Sequence, residues 1–126
     1  MESLNEMVAY LKDAGFITRE DVGQAFLSID RSFFVPYEYR DYAYADIAIP
    51  LKENVTISAP SVIARTIELS EIKEGSKVLE IGTGSGYSTA LIKYIIKDGY
   101  LYSVEIDKAA YELSLIHISE PTRQAE

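Results

Sequence analysis

The sequence predicts an α/β fold in which N-terminal helices precede one strand–helix–strand unit. Lys77–Ile81 and Tyr100–Ile106 are short apolar segments bounded by glycine or polar residues, as is typical of strands. Between them, the glycine-rich turn Gly82–Gly86 leads into a stretch with apolar residues at helical spacing. Because strand, helix and strand follow in this order, we expect two parallel strands joined by a right-handed crossover.

Two amphipathic helices are expected before this unit. Ser3 and Glu6 form a capping-box pattern at the start of the first helix, and Gly15 suits its end. Thr18 and Asp21 indicate the start of the second helix. The residues expected to face the core are Leu4, Met7, Val8 and Leu11, followed by Val22, Ala25, Phe26 and Ile29.

The segment from Tyr37 to Val55 is rich in tyrosine and irregular, so it predicts a long loop or short pieces of structure. Arg31 and Phe34 are expected to anchor this loop, and Asp46 to support it. Four tyrosines are expected to pack the loop against the core with their hydroxyls in water, or in one or two cases to line a cleft: Tyr37, Tyr39, Tyr42 and Tyr44.

Two more helices are expected around the first strand. In the third helix, Ser58 suits the N-cap and Pro60 the first turn. Ile63 and Ile67 follow on its inner face. The helix after the glycine turn is expected to end at Gly99. Its expected inward residues are Ala90, Leu91, Tyr94 and Ile95, and Asp107 is a natural cap for a helix after the second strand.

The composition is that of one globular domain. The length of 126 residues allows one domain at most, and 48% apolar with 25% charged residues is typical of a soluble protein. No apolar run approaches the ~20 residues of a membrane span, and the first residues lack a signal-peptide pattern. The absence of cysteine excludes disulfides and thiolate chemistry and fits a cytoplasmic location.

The charged residues narrow the range of partners. A net charge of −8 argues against non-specific nucleic-acid binding, which needs lysine and arginine to neutralise phosphates. The only histidine, His117, lies near Glu120 in the C-terminal tail, and one such pair does not make a metal site. We therefore expect no nucleic-acid, membrane or metal partner.

The glycine turn predicts a nucleotide-like ligand. Its glycines let the backbone turn tightly and leave amides at the helix N-terminus open. Tyr87 replaces the third glycine of the dinucleotide pattern, so the glycines alone also fit an ordinary tight turn. Glu105 lies about 20 residues beyond the turn, at a strand end where a carboxylate can accept hydrogen bonds from both ribose hydroxyls. Together, the turn and the acid predict a ribose-bearing ligand.

Two segments, VLEIGTGSGYSTALI and YSVEID, resemble motifs I and II of class I S-adenosylmethionine-dependent methyltransferases. More narrowly, IDRSFFVP, AYADIAIPL and TISAP resemble the N-terminal half of the protein-L-isoaspartate O-methyltransferase family. The resemblance implies a truncated Rossmann-like fold with S-adenosyl-L-methionine as cofactor. It also implies methylation of the free carboxylate of isoaspartyl residues in damaged proteins, after which the ester closes to a succinimide that can reopen to aspartate.

The resemblance further implies roles for individual residues. Ser58 would be the active-site hydroxyl beside the substrate carboxylate, a role that is compatible with capping a helix. Glu105 would hold the ribose hydroxyls, and Glu80 would organise the methionyl end. The other residues implied to bind the cofactor are Thr56, Ile57, Ala59, Gly82, Gly84, Ser85 and Gly86.

The residues available for catalysis agree with a carboxylate as methyl acceptor. Outside the C-terminal tail the chain has neither histidine nor cysteine. A free α-carboxylate with a pKa of about 3.5 is already ionised at neutral pH, so it needs no general base. The protein then has to supply position and a hydrogen bond that orients the oxygen, for which a serine suffices.

The C-terminal segment Leu113–Arg123, LSLIHISEPTR, does not continue the helical pattern. With one choice of codons it corresponds to a transposase adapter used in sequencing libraries, so we expect residues 113–126 to be a non-native tail. Residues 1–112 are then a partial methyltransferase domain, with N-terminal helices and a loop over 1–55 and the cofactor-binding half over 56–112. We expect such a fragment to be inactive alone.

Two other functions remain open at this point. The chain could come from a methyltransferase of the same scaffold that acts on a peptide natural product. It could instead be a non-catalytic domain that binds a nucleoside-like ligand or a partner protein, which requires a native tail and a chain that is stable alone.

Overall fold

The structure is a computed structural model that describes residues 1–52, 55–105 and 115. Two 3-10 helices, Arg31–Phe34 and Tyr37–Tyr42, follow the second α-helix. Within the described ranges the chain forms four α-helices and four strands, which in chain order are α1 Leu4–Asp13, α2 Glu20–Ser28, β1 Ile49–Lys52, β2 Val55–Ile57, α3 Pro60–Ser70, β3 Lys77–Ile81, α4 Tyr87–Ile96 and β4 Tyr100–Val104.

The predicted strand–helix–strand unit is β3–α4–β4. Its two strands pair in parallel, with Lys77 opposite Tyr100 and Ile81 opposite Val104. The predicted bounds of β3 are confirmed, whereas β4 ends at Val104 and the predicted Ile106 and Asp107 lie outside the described residues. The α/β fold with N-terminal helices and one βαβ unit is therefore confirmed.

One face of the β3–β4 sheet is covered and the other is open. Val78 and Leu101 point towards the core and pack against it. Their neighbours along each strand point the opposite way, as the period of two requires. The apolar residues on this open face are at least half exposed: Leu79, Ile81, Tyr100, Tyr102 and Val104. Because parallel sheets are normally covered on both faces, this is an unusually large apolar surface for so small a sheet.

Two short paired strands lie where the sequence predicted a long loop or short pieces of structure, and β2 continues to the residue before Ser58. β1 and β2 pair antiparallel, with Ile49 opposite Ile57, and the register shifts between Pro50 and Lys52. Thr56 and Ile57 therefore lie in a strand. The hairpin also spans residues 55 and 56, where the sequence suggested a boundary between two parts of the domain.

A single hydrophobic core joins the N-terminal helices to the βαβ unit. Met7 and Leu11 of α1, Phe26 of α2, and Leu91 and Ile95 of α4 all belong to it. Most predicted inward residues are buried, although Leu4 and Ile29 are only partly so. The prediction for Tyr94 is wrong, because this side chain is 39% exposed.

The start of α1 is capped as predicted, but the start of α2 is not. Ser3 Oγ accepts a hydrogen bond from the Glu6 amide at 3.1 Å. The N-cap of α2 is Arg19, with no side-chain cap. Thr18 instead donates to Glu68 of α3 through its amide at 2.9 Å and its hydroxyl at 2.6 Å. A carboxylate from a distant helix therefore holds the start of α2.

The prediction that Ser58 caps α3 is wrong. The helix begins at Pro60, as the sequence suggested, but its N-cap is Ala59. The side chain that serves the first turn is Asp46, whose Oδ1 accepts from the Ser61 amide at 2.9 Å. The hydroxyl of Ser58 is consequently not used by the helix start.

The loop between α2 and β1 is anchored by Arg31 and Phe34, as predicted, since both side chains are buried. Tyr37 and Tyr42 do not pack against the core, since they are 75% and 52% exposed, and the alternative that they line a cleft stays a prediction. Tyr44 is half-buried, but its hydroxyl donates to Asp30 at 2.9 Å instead of pointing into water.

No helix in the described ranges is long and apolar enough to cross a membrane. The predicted non-native tail, residues 113–126, lies outside the described residues apart from Leu115, and so do His117 and Glu120.

Candidate functional site

The glycine turn and Glu105 meet, as the sequence predicted. Gly82, Gly84 and Gly86 have φ angles of 87°, 58° and 94°, values at which a side chain would strain the backbone. The amide of Gly84 donates to Glu105 Oε1 at 2.8 Å. The amide of Gly82 donates to the Val104 carbonyl at 2.7 Å, which extends the sheet pairing into the turn. The strand-end carboxylate is therefore held against the turn.

Ser85 and Thr83 fix the turn from within. Both side chains are buried, at 4% and 7% exposure. Ser85 Oγ accepts from the Tyr87 amide at 3.1 Å, which satisfies one of the free amides at the start of α4. The hydroxyls of Thr83 and Ser103 share a hydrogen bond of 2.5 Å. The turn is thereby tied to both α4 and β4.

Glu80 lies in a pocket of hydroxyl groups. It accepts from Ser88 Oγ at 2.7 Å, from Ser103 Oγ at 2.8 Å and from the hydroxyl of Thr89. These three donors come from the start of α4 and from β4, so one carboxylate joins all three elements of the unit. Glu80 is half-buried and stands two residues before Gly82, where the turn begins.

Two cavities meet beside Ser58. The smaller, of about 80 Å³, has Thr56, Ile57 and Ser58 on one side. Gly82, Gly84 and Ser85 form its other side. A larger cavity of about 400 Å³ lies between α3 and β3 and shares Ser58, Gly82 and Ser88 with the first. Its volume is within the range of small-molecule sites, about 300–1,000 Å³.

The remaining predicted site residues lie at the edges of this space. Ala59 and Gly86 are the N-caps of α3 and α4 and line neither cavity. Glu80 lines the larger cavity, and Glu105 contacts the site through Gly84. The structure therefore brings together Thr56, Ile57, Ser58, Gly82, Gly84 and Ser85, with Glu80 and Glu105 below and beside them.

Tyr87 is a site residue that sequence reasoning missed. It lines the smaller cavity, yet it is only 1% exposed and packs against Phe26 and Phe34. Burial raises the pKa of its phenol, and the nearby charge of Arg31 offsets part of that effect. The available signal was its position directly after the turn, where the sequence pattern marked it only as a missing glycine.

No group of three or more histidine, cysteine, aspartate or glutamate side chains in the described part of the chain is placed to hold a metal ion.

Several curated relatives of the chain are named protein-L-isoaspartate O-methyltransferase. The chain is 39% identical over 105 residues to a protein-L-isoaspartate O-methyltransferase of Ignicoccus hospitalis, covering 82% of this chain and 50% of that protein. It is 43% identical over 104 residues to the enzyme of Pyrococcus horikoshii, with 82% and 47% covered. It is 42% identical over 113 residues to the protein of the same name from Methanothermobacter thermautotrophicus, covering 89% of this chain and 52% of that protein. The chain thus spans about half the length of the curated relatives it matches.

Solved structures agree with these relatives. One is described as a protein-L-isoaspartate O-methyltransferase of Plasmodium falciparum in complex with S-adenosyl-L-homocysteine. It superimposes with a TM-score of 0.85 at 26% identity, over 98% of this chain and 58% of that one. A second protein-L-isoaspartate O-methyltransferase gives a TM-score of 0.82 at 28% identity, over 93% and 38% of the two chains.

A model of the family described as protein-L-isoaspartate(D-aspartate) O-methyltransferase matches residues 2–123. This match runs across most of the segment predicted to be a non-native tail, so that interpretation stays a prediction. Nearly the whole chain matches the family, and the chain therefore belongs to the protein-L-isoaspartate(D-aspartate) O-methyltransferase family.

Proposed function

We propose that this chain is the S-adenosylmethionine-binding half of a protein-L-isoaspartate O-methyltransferase. The whole protein would transfer a methyl group to the free carboxylate of isoaspartyl residues in damaged proteins. The observation that carries the proposal is the 2.8 Å hydrogen bond between Glu105 and the Gly84 amide, formed beside a cavity that Ser58 lines. The Plasmodium falciparum relative is a complex with S-adenosyl-L-homocysteine, which supports the same cofactor class for this chain.

The turn fits such a cofactor. A Cβ added at Gly82 or Gly84 would meet nothing within 4 Å, so the surface of the turn is open to a ligand. Glu105 beside this surface is a carboxylate of the kind that binds ribose hydroxyls. We assign the ribose to Glu105 and the methionyl end to the side of Glu80. Thr56, Ile57 and Ala59 would line the wall opposite the turn, and Gly82, Gly84, Ser85 and Gly86 the turn itself.

Methyl transfer to a carboxylate requires the protein mainly to position the two reactants. When bound, the cofactor supplies a methyl group activated by its sulfonium. The acceptor carboxylate is ionised at neutral pH, so no residue has to remove a proton. Ser58 is exposed and its hydroxyl serves no helix cap, which leaves it available to donate a hydrogen bond that orients the acceptor oxygen.

The proposal also covers the setting of the whole protein. Its partners would be isoaspartyl-containing proteins or peptides, and it would work in the cytoplasm without metal, nucleic acid or membrane. A net charge of −8 and the absence of cysteine support this setting. The 126-residue chain alone is expected to transfer no measurable methyl groups to an isoaspartyl peptide, and robust turnover would contradict its description as a half.

The cofactor role is tested by calorimetric titration with S-adenosyl-L-homocysteine. Glu105→Gln is expected to weaken binding about tenfold or more, because a hydrogen bond to a charged group contributes about 1.5–3 kcal/mol. Glu38→Gln, at an exposed carboxylate on the 3-10 helix Tyr37–Tyr42, is the matched control and should bind normally.

A second titration identifies the contact. The unaltered chain should prefer adenosine to 2′,3′-dideoxyadenosine, and Glu105→Gln should lose that preference. Equal affinity of the unaltered chain for the two nucleosides would show that Glu105 does not bind the ribose.

A further inference from the structure

Arg31 connects the loop between α2 and β1 to the backbone of Ser58 in the candidate site. Its side chain is 0% exposed although it is charged. Its Nη1 donates to the carbonyls of Ala43 and Ala45 at 3.0 and 3.1 Å. Its Nη2 donates to those of Ile47 and Ser58 at 2.9 and 3.3 Å. One guanidinium therefore binds both the loop and the backbone of the candidate active-site serine.

The guanidinium is well suited to fixing these carbonyls. Burial lowers the pKa of Arg31, an effect that Tyr87 and Asp46 partly offset, so the cation depends on its surroundings for stabilisation. A planar fork donates in fixed directions, and carbonyls that bind it are held in matching orientations. Lysine carries the same charge but is a point donor on a flexible stem and cannot reproduce this geometry.

Ser58 is held through its carbonyl, and the start of α3 that follows it is held separately. Arg31 binds its carbonyl, and Asp46 binds the Ser61 amide at 2.9 Å at the start of α3. Both holding groups lie outside α3, in or beside the loop. Ser58 is itself exposed and lines both cavities. Its carbonyl is therefore bound from the loop, while the residue borders the site.

Arg31 is also near the glycine-turn side of the site, through Tyr87. Tyr87 follows the glycine turn directly and is the first residue of α4. Its ring is buried against Phe34, with centroids 5.4 Å apart, and its phenol interacts electrostatically with Arg31. Arg31 thus lies behind the serine wall and next to the base of the glycine wall.

We propose that Arg31 is a positioning residue, which sets the orientation of Ser58 relative to the glycine turn without touching substrate or cofactor. This inference rests on the proposed function, since that function gives the Ser58 hydroxyl its role. Replacing Arg31 by lysine would keep the charge and lose the fork. Ser58 should then sample several orientations while the core around it stays packed.

The cysteine-free chain allows a direct test with a single fluorine label. Ser58→Cys carrying a trifluoromethyl label reports on the site, and Ser28→Cys with the same label reports on the exposed end of α2. Adding Arg31→Lys is expected to split or broaden the fluorine NMR signal of the label at position 58 and to leave the one at position 28 unchanged. A merely structural role would alter both signals. Changes at both positions, or none at position 58, would overturn the proposal.

A measurement on the unaltered chain covers the case in which Arg31→Lys does not fold. Nitrogen NMR of the Arg31 side chain is expected to show restricted rotation of the guanidinium, slow exchange of its protons, and a coupling through the hydrogen bond to the Ser58 carbonyl. A freely rotating, fast-exchanging guanidinium would refute the positioning role.

The same labels separate this inference from the proposed function. S-adenosyl-L-homocysteine should shift the signal of the label at position 58 and leave position 28 unchanged. If it shifts neither label and calorimetry of the unaltered chain shows no binding either, the proposed cofactor site fails. The effect of Arg31→Lys on the ligand-free signal still decides the role of Arg31.

Discussion

Two glycines of the βαβ unit are expected to respond to alanine for different reasons. At Gly99, an added Cβ would lie 2.1 Å from the Ser76 carbonyl oxygen and 2.9 Å from the Gly75 carbonyl carbon. These backbone atoms cannot rotate away, so Ser76 has to move. Its oxygen accepts from the Tyr100 amide at 3.0 Å, where β4 begins. At Gly84 the Cβ would meet nothing within 4 Å, and the cost arises from a φ of +58°.

These geometries give different magnitudes. Overpacking costs about 1–3 kcal/mol, the Tyr100 hydrogen bond contributes about 0.5–1.5 kcal/mol, and the stiffer unfolded chain returns about 0.4–1 kcal/mol. Gly99→Ala should therefore lower the free energy of unfolding by about 2 kcal/mol. At Gly84, a left-handed alanine costs about 1–2 kcal/mol, and the stiffer unfolded chain returns about 0.4–1 kcal/mol. The net cost of Gly84→Ala is therefore about 1 kcal/mol.

Urea denaturation followed by far-ultraviolet circular dichroism measures both costs, and calorimetry measures binding of S-adenosyl-L-homocysteine. Gly84→Ala should weaken binding more than its small stability cost suggests, because its methyl group projects into the open space above the turn. The reasoning is refuted if Gly99→Ala unfolds at the same urea concentration as the unaltered chain. It is also refuted if Gly84→Ala proves the more destabilising of the two.

Three further predictions concern side chains. Burial of Glu68 raises its pKa, but hydrogen bonds from Thr18 and Arg19 outweigh that and leave the pKa below 4.5. The contribution of Glu68 to the free energy of unfolding should therefore be constant above pH 4.5 and be lost as the pH falls through the folded pKa. In Glu68→Gln, the free energy of unfolding should not show this loss on acidification. Asp46→Ala should cost about 0.5–2 kcal/mol in urea denaturation, as loss of a helix cap does, whereas Ser58→Ala should change stability by less than ~0.5 kcal/mol. Glu80→Gln should cost about 1 kcal/mol by the same measurement, because an amide nitrogen replaces an oxygen that accepts from hydroxyls; an unchanged midpoint would contradict that assignment.

The βαβ unit could be predicted because its signals are local. The bounds of β3 follow from an apolar run that ends at a glycine turn, and Glu105 follows from the end of the next strand. Since the carboxyl ends of parallel strands meet at one edge, the contact between Glu105 and Gly84 could be expected from the order of the elements along the chain.

The hairpin and the helix starts could not be predicted in the same way. Pro50 within β1 favours a break, and the register shift beside it disrupts the alternation that marks a strand. Ser58 has the residue type of a cap, but the group that serves α3 is Asp46. Thr18 binds Glu68, fifty residues away. In each case a tertiary contact, absent from local sequence, decides the outcome.

The packing of Tyr87 couples the glycine turn to helix α2, so that a ligand bound at the turn should also stabilise α2. Its ring meets Phe26 of α2 edge-on at 6.3 Å and Phe34 at 5.4 Å. A ligand that orders the glycine turn also holds the first residue of α4, and through it the buried face of α2. By mass action, such a ligand slows amide hydrogen exchange in α2, a helix it does not touch. The N-terminal helices and the candidate site should in this sense unfold as one thermodynamic unit.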